Sequence, residues 1–140
     1  MGESISSVFD ITASALTAER ARLSVIAQNI ANSQVTKMPD GQPYRRQKVV
    51  FESVLKSAKG AVGLPKGAVR AHVATDNSPF QRVKQPGHPD ADKDGWVTLP
   101  NVNVIDEMVD LLDASRTYEA NLSTLRTYRQ MLQQTLEMAR

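Results

Sequence analysis

The chain of 140 residues contains no cysteine, so disulfide bonds, thiolate metal sites and cysteine nucleophiles are excluded. It has no apolar run long enough to span a bilayer, and direct membrane insertion is not expected. Its first residues lack the basic and apolar segments of a secretory signal peptide. Aromatic residues make up only 5% of the chain, a thin supply for a compact core. These absences favour an extended, non-membrane protein.

Proline and glycine are also missing from most of both ends of the chain. All seven prolines and six of the seven glycines lie between Pro39 and Pro100. Because both residue types break helices, the ends are predicted to be long helices and the middle a region of strands and turns. We expect an N-terminal assembly helix in 1–36, a small β-rich module in 37–100 and a C-terminal assembly helix in 101–140. The predicted fold class is α+β, with the two helices in an antiparallel coiled-coil-like layer beside a small central β module.

The N-terminal helix is predicted to run from near Ser7 to about Ala31, with Asn32 as a left-handed stop. Apolar residues at helical spacing form one face of this helix. That face includes Phe9, Leu16, Leu23, Ile26 and Ile30.

A second apolar face, containing Ile11 and Val25, lies on roughly the opposite side of the same helix. A helix that is apolar on two sides must be packed on two sides. One C-terminal helix can cover only one of these faces. We therefore expect neighbouring chains to cover the other, and we expect both helices to stay mobile until neighbours are present.

The C-terminal helix is predicted to begin at Asn101 or Asn103, since either residue is a good N-cap. Its ladder of mostly apolar positions alternates in steps of four and three residues as far as Ala139, and the helix is predicted to end at Arg140. The predicted assembly positions on this ladder are Val104, Met108, Leu111, Tyr118, Leu122, Leu125, Leu132 and Leu136. At about 1.5 Å per residue the helix spans ~55 Å, which is longer than a compact domain of this size. Arg129 interrupts the ladder.

The middle of the chain predicts about four short strands, because apolar and β-branched residues there alternate between turns. The strand-like segments are 44–51, 69–73, 80–83 and 96–99, and the predicted turns are 39–43, 60–67 and 86–89. A β module of this size is marginally stable alone.

Charge is segregated along the chain. Residues 37–72 carry a net charge of +6, and residues 73–115 carry a net charge of −5. Three of the lysines in the basic segment are at positions 56, 59 and 66. Such opposite blocks favour self-association, in which the basic surface of one subunit meets the acidic surface of the next. Two ordinary solvated faces are the alternative. A nucleic-acid partner is not expected, because the basic block has an acidic neighbour.

One segment resembles a metal site but fails the full pattern. Asp90-Ala-Asp92-Lys-Asp94-Gly95 matches the first half of an EF-hand loop, yet Asn101 stands where the loop needs a bidentate glutamate. The segment is interpreted as a turn capped by aspartate side chains. His72 and His88 have no spaced ligand partners. No metal, cofactor or catalytic set is predicted, and the chain is not expected to be an enzyme.

Specific motifs at both ends of the chain resemble those of a known family. The run from Phe9 to Ala18, then Asn29-Ile-Ala-Asn32 and Asp40-Gly-Gln-Pro-Tyr-Arg45, resembles the N-terminal signature of flagellar rod, hook and hook-filament proteins. Segments 86–92, 95–104 and 107–121 resemble a short protein of the proximal rod. The motif residues are Asn29, Ala31, Asn32, Pro86, Gly87, Pro89, Asp90, Asp92, Gly95, Tyr118, Ala120 and Asn121.

The resemblance implies a structural subunit of the proximal rod in the bacterial flagellar basal body. It implies export through the flagellar type III apparatus without a cleaved signal, and assembly into a helical tube in the periplasm that transmits torque and surrounds the export channel. The implied partners are further copies of the chain, other rod proteins of the FlgB, FlgF and FlgG types, FliE and the export apparatus. Asn29, Ala31 and Asn32 would end the first helix, and Tyr118 would pack within the inner helical layer.

Two other interpretations are open. The chain could be an adaptor that uses its helices as a partner-binding hairpin, or another short rod subunit of the FlgB type. A FlgB-type chain would show a Thr-Pro-Gly-Tyr-like turn after the Ala-Asn motif. Val35-Thr-Lys-Met-Pro-Asp-Gly41 stands there instead, which disfavours the FlgB type.

Overall fold

A computed structural model describes residues 2–53 and 67–138, with side chains from residue 8 onward. Two long helices flank four short strands. The elements are α1 (Gly2–Ala31), β1 (Gln47–Ser53), β2 (Val69–Thr75), β3 (Gln81–Lys84), β4 (Trp96–Leu99) and α2 (Val104–Met138). The predicted α+β class and all four predicted strands are confirmed. The lysines at 56, 59 and 66, and most of the turn predicted at 60–67, lie outside the described residues.

Helix α1 begins at Gly2, earlier than predicted, and ends at Ala31. The left-handed stop predicted at Asn32 is wrong, since only glycines have positive φ in the part of the chain that the structure describes. The Asn32 backbone N–H donates to the Gln28 carbonyl at 3.0 Å, and the Asn32 side-chain amide donates to the same oxygen at 2.8 Å. The Gln28 carbonyl in the last turn therefore accepts hydrogen bonds from both the backbone and the side chain of Asn32, and the helix ends without a left-handed residue.

Helix α2 begins immediately after Asn103, one of the two predicted caps. The Asn103 side-chain oxygen accepts a hydrogen bond from the Ile105 N–H at 3.1 Å, and its carbonyl accepts from the Glu107 N–H at 3.0 Å. Asp106 and Glu107 lie in the first turn, where negative charge is favoured. The 35 residues of α2 span ~52 Å at about 1.5 Å per residue.

The two faces of α1 are both covered within one chain. Helix α2 runs antiparallel to α1, and the Phe9 and Tyr128 rings meet edge-on with their centroids 5.2 Å apart. The β1–β2 hairpin contacts α1 as well, and the Val69 N–H donates to the Ser14 hydroxyl at 3.0 Å. Val25, on the second apolar face, is buried. The expectation that this face needs other chains is therefore wrong, because the hairpin covers it.

The positions of α2 that pack against the rest of the chain form a seam along the helix. At every second position this seam lies one residue before the predicted ladder. Its positions alternate in steps of four and three, and each is buried or half-buried. They are Glu107, Leu111, Ala114, Tyr118, Asn121, Leu125, Tyr128 and Leu132. Tyr128 rather than Arg129 takes a place on this seam, and Arg129 is exposed. The heptad spacing is as predicted, but the seam includes polar residues that an apolar ladder passes over.

The four strands form two separate antiparallel hairpins. Strand β1 pairs with β2, with Val49 opposite Val73, and β3 pairs with β4, with Val83 opposite Val97. The two hairpins are distinct two-stranded sheets. The fully buried residues of the β region are few, among them Ala68 and Val97. Two-stranded sheets are marginal alone, so each depends on what it packs against.

The loop between β3 and β4 is organised by the Asp92 carboxylate. One of its oxygens accepts hydrogen bonds from the Asp94 N–H at 3.0 Å and the Trp96 N–H at 2.8 Å. The other oxygen accepts from the Arg82 guanidinium at 2.8 Å. The interpretation of this segment as an aspartate-capped turn is confirmed.

Gly95 closes this loop under two constraints. Its φ is +80°, a conformation that residues with a Cβ rarely adopt, and a Cβ there would lie 3.1 Å from Pro86 Cβ and 3.2 Å from Pro86 Cα. Pro86 and Gly95 thus face each other across the loop, which explains why a glycine stands at position 95.

We predict that Gly95→Ala lowers the free energy of unfolding by about 2 kcal/mol, from the left-handed backbone and the Pro86 contact together. Two glycines provide matched controls. Gly41 has the same positive φ with open space around it, so Gly41→Ala should cost about 1 kcal/mol. Gly87 has neither constraint, so Gly87→Ala should be close to neutral. Urea unfolding of the three variants checks the order, and equal effects at Gly95 and Gly87 would contradict it.

Candidate functional site: a buried polar joint between the helices and the first hairpin

Two polar side chains are almost completely buried where the helices meet the first hairpin. Asn29, near the end of α1, and Glu107, in the first turn of α2, are each 1% exposed. The Asn29 side-chain amide donates to a Glu107 carboxylate oxygen at 3.0 Å. This bond joins the C-terminal end of α1 to the N-terminal end of α2.

The Asn29 amide uses its full hydrogen-bonding capacity. Its oxygen accepts from the Tyr44 hydroxyl at 2.9 Å and from the Gln47 N–H at 3.0 Å. Its nitrogen donates to the Gln47 carbonyl at 2.7 Å as well as to Glu107. Asn29 therefore pairs with the first residue of β1 as a neighbouring strand would, and a side chain with both a donor and an acceptor is needed for this.

Arg46 neutralises the buried Glu107 carboxylate. Its Nε donates to Glu107 at 2.5 Å, while its terminal nitrogens lie 3.5 Å from Asp76 and 3.4 Å from Asp110. Burial alone would lower the pKa of Arg46, but the hydrogen bonds and negative charges of Glu107 and Asp76 together outweigh it and the pKa is raised. Arg46 is therefore a permanent cation that connects the β1 end of the joint to α2.

Tyr44 completes the buried part of the joint. Its ring is buried and its hydroxyl donates to Asn29. Burial raises the pKa of Tyr44, and the negative charge of Glu107 raises it further. Tyr44 thus stays protonated and keeps its role as a donor.

Asn101 extends the joint to the segment between β2 and β3. Its side-chain oxygen accepts from the Arg46 N–H at 2.8 Å, and its amide donates to the Ser78 hydroxyl at 2.8 Å and the Asp76 carbonyl at 3.1 Å. The buried polar joint, defined as Asn29, Tyr44, Arg46, Asn101 and Glu107, therefore links α1, β1, the β2–β3 connection and α2.

A line of charges continues from the joint along the helix pair. Arg22 on α1 lies 3.9 Å from Asp110 and 4.0 Å from Glu19. Glu19 is buried, and its Oε2 is the one buried side-chain polar atom without a hydrogen bond in the described residues. The helix pair thus carries alternating charge along part of its contact in addition to apolar packing.

The joint has the chemistry of a structural element. A cleft of about 150 Å³ beside it is lined by Arg22, Arg46, Glu107 and Asp110, whose charges are directed at each other. Within residues 2–53 and 67–138, no three histidine or carboxylate side chains are placed to hold a metal ion. No described helix is long and apolar enough to cross a membrane.

Neither histidine belongs to the joint. His72, on β2, is exposed and lies 3.8 Å from Glu52 across the hairpin. His88, in the β3–β4 loop, accepts a hydrogen bond from the Asp90 N–H at 3.1 Å. Both take part in local contacts within their own hairpins.

The structure divides the predicted assembly residues into covered and exposed sets. On α1, Val25 and Ile26 are buried, and Phe9, Ile11, Leu16, Leu23 and Ile30 are half-buried. On α2, Leu111, Tyr118, Leu122, Leu125 and Leu132 are half-buried, whereas Val104, Met108 and Leu136 are exposed. Most of these side chains therefore pack within the chain, and the exposed ones are free to meet other subunits.

The predicted motif residues also separate by position. Asn29 and Gly95 are buried. Asn32, Tyr118 and Asn121 are half-buried, and Ala31, Pro86, Gly87, Pro89, Asp90, Asp92 and Ala120 are exposed. Only Asn29 among them belongs to the joint. Its partners Tyr44, Arg46, Asn101 and Glu107 were not predicted as site residues.

Two family models match the two ends of the chain. Residues 9–37 match a model described as flagella basal body rod protein, and residues 93–138 match one described as flagellar basal body rod FlgEFG protein C-terminal. These matches include Asn29 on one side of the joint and Asn101 and Glu107 on the other.

Curated relatives extend the likeness to nearly the full chain. An Escherichia coli O6:H1 protein named flagellar basal-body rod protein FlgC is 44% identical over 132 residues, covering 94% of this chain and 95% of its own length. Proteins of the same name from Borreliella burgdorferi and Bacillus subtilis are 38% and 37% identical, with at least 93% of each chain covered. The chain belongs to the FlgC family of flagellar basal-body rod proteins. The family predicted from the sequence motifs is thereby confirmed.

Membership of the FlgC family gives the joint a context. The joined elements lie at the boundary between the two long helices and the β region, so the joint fixes how this FlgC-family chain presents its hairpin beside its helix pair.

We predict that Asn29→Ala lowers the free energy of unfolding by about 3–5 kcal/mol, because it leaves the Gln47 backbone and the buried Tyr44 hydroxyl without these partners and removes one of the two side chains bonded to the Glu107 carboxylate. Gln28→Ala is the matched control, since Gln28 is exposed on the same turn and its side chain makes one long bond to Ser24. That variant should stay within about 0.5 kcal/mol of the wild type. Urea unfolding measures both, and similar losses in the two variants would show that the joint does not stabilise the fold.

A second prediction concerns acid. Hydrogen bonds from Ser78, followed by the charge of Lys48 and a hydrogen bond from Arg46, lower the pKa of Asp76 below its ordinary value of 3.8. The pKa of Asp76 is lower in the folded chain than in the unfolded chain. Its contribution to stability is therefore complete at pH values above the unfolded-state pKa, and it is lost as the pH falls through the folded-state pKa.

We expect the urea midpoint of the wild type to fall between about pH 5 and about pH 2. Asp76→Asn should be less stable than the wild type at neutral pH and should show a smaller acid-induced fall. Asp76→Asn combined with Asp92→Asn should reduce the fall further, because the Trp96 N–H similarly lowers the pKa of Asp92. An unchanged acid-induced fall in the double variant would refute this account.

Proposed function

We propose that the chain is a non-enzymatic structural subunit of the proximal rod of the bacterial flagellum, and that it assembles through its terminal helices into a helical tube. Membership of the FlgC family and the helix pair support this proposal. A pair of helices about 50 Å long gives each subunit an elongated contact surface.

The observation that carries the proposal is a set of large apolar side chains exposed along a helix whose position in the fold is fixed. Ile105, Val109 and Leu112 on α2 are 73%, 61% and 62% exposed, although the buried joint begins at Glu107 on the same helix. Contiguous exposed apolar surface is characteristic of protein contacts. A fixed helix with an apolar outer surface suits a building block of an assembly.

In this proposal the helices form the inner layer of the tube around the export channel, and the β region lies outside. The subunit reaches the periplasm through the flagellar export apparatus without a cleaved signal peptide. Its neighbours are further copies of itself, FliE, and rod proteins of the FlgB, FlgF and FlgG types. The tube transmits torque from the motor to the distal rod.

Deletion of the gene in the source bacterium tests the proposal. We expect loss of motility and loss of the rod from purified basal bodies, with both restored by a plasmid copy. Mass spectrometry of restored basal bodies should find the chain with its N-terminal sequence intact. Complete rods in the deletion strain would contradict the structural role and favour the adaptor alternative. A chain that lacks its first residues in the rod would contradict export without cleavage.

A further inference from the structure

We propose that an exposed apolar patch on α2 packs against the outward face of α1 in a second copy of the chain. The α2 patch is defined as Ile105, Met108, Val109 and Leu112. This contact rests on the proposed function and specifies which surfaces of the helices meet between subunits.

The α2 patch points away from the helix that packs against α2 in the same chain. Helix α2 contacts α1 through the seam that contains Glu107 and Ala114, which are 1% and 0% exposed. At 100° per residue, Ile105 and Leu112 lie about 140–160° around the helix from that seam. The patch therefore faces away from α1 of the same chain, and all four of its side chains are more than half exposed.

Helix α1 offers an outward face of complementary shape. Its positions recur in steps of three and four, and all are exposed. They are Ala13, Thr17, Arg20, Ser24, Ala27 and Ala31. Apart from Arg20, none of these side chains is larger than threonine, so the face is a shallow groove. Large side chains of one helix pack well into such a groove on another.

The charges beside the two surfaces are also complementary. Asp106 and Asp113 lie seven residues apart along one edge of the α2 patch, about 10 Å along the helix axis. Neither has an ion pair with another described residue, and the same holds for Arg20. When Arg20 approaches the middle of the patch, it lies between two carboxylates of the neighbouring copy. Opposite charges placed in this way fix the register of a contact.

The contact is heterologous, because different surfaces of the two copies meet. Repetition of such a contact generates a ring or an open helix rather than a closed pair. This geometry agrees with a tubular assembly. It also identifies a second copy of the chain as the occupant of the patch, since both complementary surfaces are present on every copy.

Disulfide cross-linking tests the contact, and the absence of native cysteine makes the test clean. Leu112→Cys is combined with Thr17→Cys in one variant and with Ser24→Cys in another. Thr17 and Ser24 lie one turn on either side of Arg20, so one pair suits antiparallel helices and the other suits parallel helices. Helices packed 8–10 Å apart bring such cysteines within reach of a disulfide.

Oxidised basal bodies from at least one double variant should contain disulfide-linked species at multiples of the 15.4 kDa chain mass. The three single-cysteine variants are the matched controls, and they should remain monomeric on non-reducing gels. Motility of each variant before oxidation shows that the substitution leaves assembly intact.

A charge reversal tests the proposed contact independently. Arg20→Glu in the cross-linking background should reduce the yield of linked species about tenfold, because it places like charges together. Asp106→Lys with Asp113→Lys should restore the yield in the Arg20→Glu background.

The failures of the two proposals are distinguishable. Basal bodies that contain the chain, but in which neither double variant links to itself, would overturn this contact and leave the rod function standing. Links only to a protein of another mass would overturn it in the same way. Absence of the chain from basal bodies would overturn the proposed function and this contact with it.

Discussion

The fold depends on a buried carboxylate. Glu107 is charged and almost inaccessible to water, and an ion in this situation costs several kcal/mol unless its partners are well placed. Its partners come from elsewhere in the chain: Arg46 precedes β1, and Asn29 lies on α1. Displacing the hairpin or α1 therefore removes a partner of this buried charge. Apolar packing brings these elements together, and the carboxylate determines the relative position in which they are held.

The sequence predicted the helices and strands well, since local chemistry decides them. Proline and all but one glycine are confined to the middle of the chain, alternation marks the strands, and Asn103 caps α2 because its side-chain oxygen accepts from a free N–H of the first turn. The buried polar joint was not predicted, because Arg46 and Glu107 are 61 residues apart. Of the residues in the joint, only Asn29 belonged to a motif singled out in the sequence, and that motif did not identify the partners of Asn29.

The register of α2 shows why an apolar pattern was insufficient. A ladder chosen for hydrophobicity runs through Met108 and Arg129, whereas the true seam runs through Glu107 and Tyr128. The two patterns have the same heptad spacing and differ by one residue at alternate steps. A glutamate belongs on the seam because it is paired, and pairing with a distant arginine cannot be seen in periodicity.

The coverage of α1 changes how assembly must work. Since α2 and the first hairpin cover both apolar faces of α1, neighbours are not needed to complete its packing. In the proposed assembly, subunits therefore meet as folded bodies, because much of the ordering entropy of the helices is lost within each chain before contact. The outward surfaces of the two helices differ, since most side chains on that of α1 are short whereas α2 exposes large apolar ones. Rigid subunits with two such different surfaces can repeat one contact at a constant angle, as a tube with a stable wall requires.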